Sequence, residues 1–244
     1  MTRYEFSWAV RPPSSRRWQG KQTINGFEVE ITAGRIDFRS SLSDTSEGDL
    51  LKIVEDIAAN LVRAMSFFER KRLTAVFIGV TPSDSVFEPR KNYATESDRA
   101  RLAEAAPAEE PGADGDRVDQ AKEVELSAIF DLAQHARRSP TLRQMLDRLG
   151  EFHGDPSRQL DPLYDILQVV EVKFRGRKRA AHALQIPFAQ LSKAAGFMND
   201  PAIRTSRHPG DRAEGQRDAT EGELNRCIDL AETIIRRYAA LVRL

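Results

Sequence analysis

Residues 92–117 divide this chain into two parts whose apolar patterns belong to different kinds of structure. Within them the stretch AEAAPAEEPGADGD holds only Ala, Glu, Asp, Pro and Gly and no aromatic residue. That composition buries too little apolar surface to offset the entropy of ordering it, which predicts a flexible acidic linker. Before it, runs with apolar residues at every second position flank one helical stripe; after it, apolar residues recur at every third and fourth position throughout. The expected class is α+β: a small mixed module with antiparallel strands over 1–91, the linker, and an α-helical bundle over 118–244.

In the first module Tyr4, Phe6, Trp8 and Val10 alternate with polar residues, the pattern of a half-buried strand ended by Pro12-Pro13. Asn25-Gly26 supplies a tight turn before Phe27, Val29 and Ile31, and Ala33-Gly34 turns the chain into Ile36 and Phe38. A hairpin or small meander follows from these turns. From Asp49 to Arg72 the period changes: Leu50, Ile53, Val54, Ile57, Leu61, Met65 and Phe68 make one helical stripe. The run LTAVFIGV, Leu73 to Val80, reads as a buried strand.

After the linker the chain predicts about five helices. Val118–Ala136 ends at Ser139-Pro140, and Thr141–Phe152 follows. Asp161-Pro162 opens a third, with Asp161 as its cap. Lys178–Ala195 forms a fourth, kinked at Pro187. The last runs from Thr220 to Leu244, with Thr220 and Glu223 as a capping box.

Lys plus Arg is 37 and Asp plus Glu is 37, so no global field draws the chain to nucleic acid. Locally the balance breaks. Between Val172 and Arg212 stand nine basic residues, Lys173, Arg175, Arg177, Lys178, Arg179, Lys193, Arg204, Arg207 and Arg212, against Asp200 and Asp211 alone. Clustered cations are the footprint of a protein that holds phosphates. Within this window lies NDPAIRTSRHPG, Asn199 to Gly210. Asn199 or Asp200 can cap, Pro201 suits a first helical position and Pro209-Gly210 forbids continuation. Were Ala202 to His208 helical, Arg204 and His208 would share a face.

The order of these segments resembles the HEPN superfamily, in particular the HEPN-like C-terminal domains of bacterial defence and mobile-element proteins. The resemblance covers Val118 to Leu244. It is carried by PLYDILQVVE on a middle helix, LSKAAGFMND after it, IRTSRHPG, and a terminal amphipathic helix. It implies a metal-independent endoribonuclease of defence or toxin type, working as a homodimer whose active site forms where two protomers meet. The family's signature is an Arg, four to six residues, then a His. Arg204 and His208 are separated by three residues, whereas Arg148–His153, Arg177–His182 and Arg175–His182 fit the spacing.

On this reading Arg204, Arg207 and His208 are the catalytic candidates. Asn199, Arg177, Lys178, Arg179 and His182 are the substrate-binding ones. A histidine titrating near pH about 6.5 suits proton transfer, and a guanidinium suits the charge that builds on phosphorus. The alternative is a non-catalytic module that binds a partner protein or nucleic acid. No cofactor and no metal are expected, since GxxxxGK[ST], GxGxxG, HExxH and GxSxG are all lacking and Cys227 stands alone. An N-terminus without a long apolar core, and no 18-residue apolar run, predict a cytoplasmic protein with no membrane association.

Overall fold

The computed structural model describes residues 4–11, 18–32, 34–40, 45–82, 115–155, 157, 159–206 and 216–242. Most of the expected linker, and Arg207 and His208, lie outside these residues. The chain divides into two compact units, Met1–Met65 with Leu73–Ala133, and Ser66–Arg72 with Gln134–Leu244.

The first unit is built on five strands: β1 (Tyr4–Arg11), β2 (Gly20–Ile24), β3 (Phe27–Thr32), β4 (Arg35–Ser40) and β5 (Thr74–Pro82). They form one antiparallel sheet in the order β2-β3-β4-β1-β5. Asn25 and Gly26, with φ of 50° and 80°, close the β2–β3 hairpin with both central residues left-handed, the turn whose twist suits its strands. Register stacks the apolar residues in rows. Val29, Phe38, Phe6 and Val80 make one; Ile31, Ile36, Trp8 and Phe77 make the next. On the other face Arg39 lies 3.0 Å from Glu28 and 3.5 Å from Glu5, and Lys21 lies 3.2 Å from Glu30. Exposed pairs of this kind add at most about 1 kcal/mol each, so the apolar rows carry the stability. The remaining apolar surface of the unit comes from helices α1 (Glu47–Glu69) and α2 (Gly115–Arg138), through buried Leu50, Val54, Ile57, Leu61, Ile129 and Phe130.

Two strands differ from the expected patterns. β1 lies inside the sheet between β4 and β5, and Ser7 and Ala9 are buried along with Phe6, Trp8 and Val10, with Ser7 donating to Asp37 at 2.5 Å. The run at 73–80 is an edge strand: only Leu73 and Val80 are buried, and Val76 is 39% exposed.

The second unit holds α3 (Pro140–Gly154), α4 (Asp161–Lys173), α5 (Arg177–Ala183), α6 (Phe188–Met198) and α7 (Glu221–Val242). Ser139 caps α3 by accepting from the Leu142 amide at 3.3 Å, with Pro140 in the first turn. Thr220 and Glu223 cap α7 reciprocally, as expected. Asp161 is the first residue of α4 and not its cap; Leu160 occupies that place. The single kinked helix expected over 178–195 is two helices, because Pro187 ends one and starts the next.

The breaks between α4, α5 and α6 are built alike. At the first, Gly176 N–H donates to the Glu171 carbonyl at 2.7 Å and Arg175 N–H to Val172 at 3.2 Å. At the second, Ile186 N–H donates to Ala181 at 2.9 Å and Gln185 N–H to His182 at 3.1 Å. Both are Schellman turns, with Arg175 (φ 57°) and Gln185 (φ 53°) at the left-handed position that glycine normally fills. A non-glycine residue there costs about 1–2 kcal/mol, and glycine itself costs about 0.5–1 kcal/mol of chain entropy. Gln185→Gly is therefore expected to stabilise the protein by about 0.5–1 kcal/mol, read as a higher urea midpoint at unchanged slope.

Candidate nucleic-acid interface

From Val172 to Asn199 the chain runs 28 residues without an acidic side chain, in a protein with 37 of them. The two Schellman turns fold this stretch into the corner formed by the end of α4, α5 and α6. Buried Val170, Ala180, Ala181, Leu184, Ile186, Leu191 and Ala195 hold the three helices together. With the apolar residues turned inward, the cations turn outward. Lys173, Arg175, Lys178, Arg179 and Lys193 are all exposed and make no ion pair among the described residues. Lys178 places its ammonium 5.9 Å from the centre of the Phe188 ring, itself 44% exposed. His182 is exposed on α5. Arg177 differs from its neighbours: its Nε donates to Glu171 at 2.5 Å, which ties it to the corner.

The tract after α6 has another architecture from the one expected. Pro201 to Ser206 is a series of turns, not a helix. Asp200 accepts from the Ala202 amide at 2.9 Å, a local bond that competes with helix formation. Ile203 is fully buried and pairs with Arg217 in a short parallel bridge, in which Arg204 N–H donates to the Arg217 carbonyl at 3.0 Å and Arg217 N–H to Ala202 at 2.9 Å. Leu160 N–H donates to the Thr205 carbonyl at 2.8 Å, so the tract also holds the start of α4.

Among the site candidates, Arg204 is exposed, with its Nε 3.4 Å from Asp218. Asn199 turns its side-chain amide back to the Ala195 carbonyl at 2.9 Å. The structure thus gathers Lys178, Arg179 and His182 on one exposed helix and engages Asn199, Arg177 and Arg204 with protein groups. Of the pairs with family spacing, Arg148 lies 2.6 Å from Glu151 and 3.3 Å from Asp165.

Sequence reasoning did not find the part played by Arg217. Its guanidinium forks onto both oxygens of Glu223 at 2.7 Å, joining the clasp to the start of α7. This bond, with the Thr220 amide and hydroxyl, holds the Glu223 carboxyl down at about 2. A carboxyl depressed in the folded state stabilises fully above its unfolded value of about 4.3, and the contribution fades as pH falls toward the folded one. Melting curves between about pH 5 and 2 are expected to show an acid-induced loss of stability that Glu223→Gln makes shallower.

Beside α6, a cleft of about 390 Å³ lies between α6 and α7, with Ala194, Phe197, Cys227 and Leu230 as its apolar wall. Burial pushes the Cys227 thiol up to about 11, which keeps it protonated as a small core residue. Among the described residues no group of His, Cys, Asp and Glu could hold a metal ion, and no helix is long and apolar enough to cross a membrane.

No family model, no curated protein and no solved structure matches the chain. Function therefore rests on the chemistry of the corner and the tract beside it.

Proposed function

We propose that this protein binds nucleic acid through the exposed cations of the α4–α5–α6 corner. In the catalytic form of the reading it is a metal-independent endoribonuclease of the defence or toxin type. The observation that carries it is the acid-free stretch 172–199, folded so that five basic side chains face solvent without an ion pair among the described residues. Charges left this way are available to displace the counterions of a phosphate backbone. Arg204 follows on the adjoining tract, exposed and 3.4 Å from Asp218.

In the catalytic form a 2′-hydroxyl attacks its own phosphate and the 5′-oxygen leaves. His208 takes or gives the proton, and Arg204 or Arg207 stabilises the charge on phosphorus. Acid and base are both required, and a second copy of the chain would supply the second histidine. Incubation of the purified protein with total RNA in EDTA tests this directly. Cleavage that is lost in His208→Ala and kept in His153→Ala supports it, and intact RNA for the parent protein at every concentration removes it.

A second reading keeps the binding and drops the catalysis. It is favoured by the use of the tract as a clasp, with Ile203 in the core and the Asn199 amide bonded back to α6. Salt-dependent nucleic-acid binding with no cleavage is its expected result.

A further inference from the structure

The acid-free corner has a shape as well as a charge. Helices α4, α5 and α6 pack on one another, and α5 reaches α6 through four residues, Leu184 to Pro187. The second of these residues is left-handed, and the third, Ile186, is buried beneath it. A first helix, a tight turn with one left-handed residue, and a second helix anchored by buried apolar residues follow one another here as they do in a helix-turn-helix, whose second helix enters the major groove of duplex DNA. We propose that α5 and α6 are such a pair, that α6 is the groove-reading helix, and that duplex DNA is the ligand class of this corner. The proposal rests on the nucleic-acid reading above and narrows it.

The surface of α6 fits that task. Its buried side is Leu191, Ala195 and Met198; the opposite side presents Ala189, Lys193 and Gly196, with Gln190 on the flank. Two of these are as small as side chains come, so the backbone can approach base edges closely. Lys193 and Gln190, which also line the rim of the α6–α7 cleft, are exposed and can bond purine edges, lysine to guanine and glutamine to adenine. An α-helix with its side chains is about 10–12 Å across, which a groove about 12 Å wide admits, and the eleven residues of α6 make a rod about 16 Å long. Lys178 and Arg179 on α5, with Lys173 and Arg175 at the preceding turn, would meet the phosphates beside the groove. The acids near α6 on the α7 side are already engaged, Glu223 with Arg217 at 2.7 Å and Asp229 with Arg70 at 2.9 Å. They leave the charge of Lys193 uncancelled.

The test compares a random-sequence 30-base-pair DNA duplex with a 30-nucleotide single-stranded RNA, using fluorescence anisotropy on the full chain. Tighter binding to the duplex is expected. Four phosphate contacts predict a slope of log affinity against log salt near −3.6, which is a fall of about 150-fold between 50 and 200 mM. Lys178→Gln with Arg179→Gln should flatten the slope by about 2. The decisive variant is Gly196→Trp. Gly196 is exposed and a Cβ built there meets nothing within 4 Å, so the side chain starts into open space on the fold while its ring would crowd the groove. An affinity for the duplex at least tenfold weaker, with RNA binding unchanged and the melting temperature not lowered, supports docking through α6. Duplex binding equal to the parent in Gly196→Trp overturns it. Preference for the RNA overturns the DNA assignment and leaves the nucleic-acid reading standing. Binding to neither at 50 mM salt removes both.

Discussion

Ile203→Asp is expected to unfold the second unit, with a loss of at least about 4 kcal/mol. Ile203 is fully buried, and truncating such a residue costs about 2–5 kcal/mol before any charge is added. A carboxylate in place of a fully buried apolar side chain must also be desolvated, which adds to the cavity. The backbone consequences spread further. The bridge to Arg217 and the bond from Leu160 to Thr205 both depend on the tract staying in place. Urea unfolding followed by circular dichroism checks this, and a midpoint within error of the parent would show that Ile203 is not a core residue. The companion variant is Arg204→Ala, one residue along and exposed. Its contact with Asp218 is a surface pair worth at most about 1 kcal/mol, so stability should hardly move. Any loss of nucleic-acid affinity or of cleavage in that variant is then a direct effect on the ligand.

Phe38→Ala should cost about as much in the first unit. The ring is fully buried in the row Val29–Phe38–Phe6 and meets Trp8 edge-on at 5.1 Å. Removing a buried Phe costs about 3–5 kcal/mol, and the aromatic pair adds about 0.5–1.5 kcal/mol. That approaches the whole stability of many domains, about 5–15 kcal/mol. Phe77→Ala provides the contrast: it lies in the neighbouring row but on the edge strand, half-buried, and should lose distinctly less. Equal losses in the two variants would mean that the edge strand is covered as deeply as the centre of the sheet.

Which elements were legible follows from how local their causes are. The Asn25-Gly26 turn and the Thr220–Glu223 box are decided by residues within three positions of one another, and both form as read. The stripe of α7 was legible because a period of 3.6 repeats for six turns. The helix broken at Pro187 was half legible: the proline was seen, but the turn it completes needs Gln185 in a left-handed state that its side chain disfavours. The tract carries helix signals from Asn199 onward, yet Pro201 to Ser206 forms turns. Pro201 and the Asn199-Asp200 pair suit a first turn, yet burial of Ile203 against distant residues outweighs them.

The sequence by itself determined the α+β class, the strand and helix periods, and the local excess of positive charge between 172 and 212. Those properties depend on neighbours in the chain and on composition. Only the tertiary structure decided which of the cations remain unpaired among the described residues, that Arg177 and Arg204 face carboxylates, and that Arg217 joins the clasp to α7. It alone made two helices joined by a left-handed turn out of one apparent helix. Ion pairs and buried contacts bring together residues far apart in sequence, and no period records them.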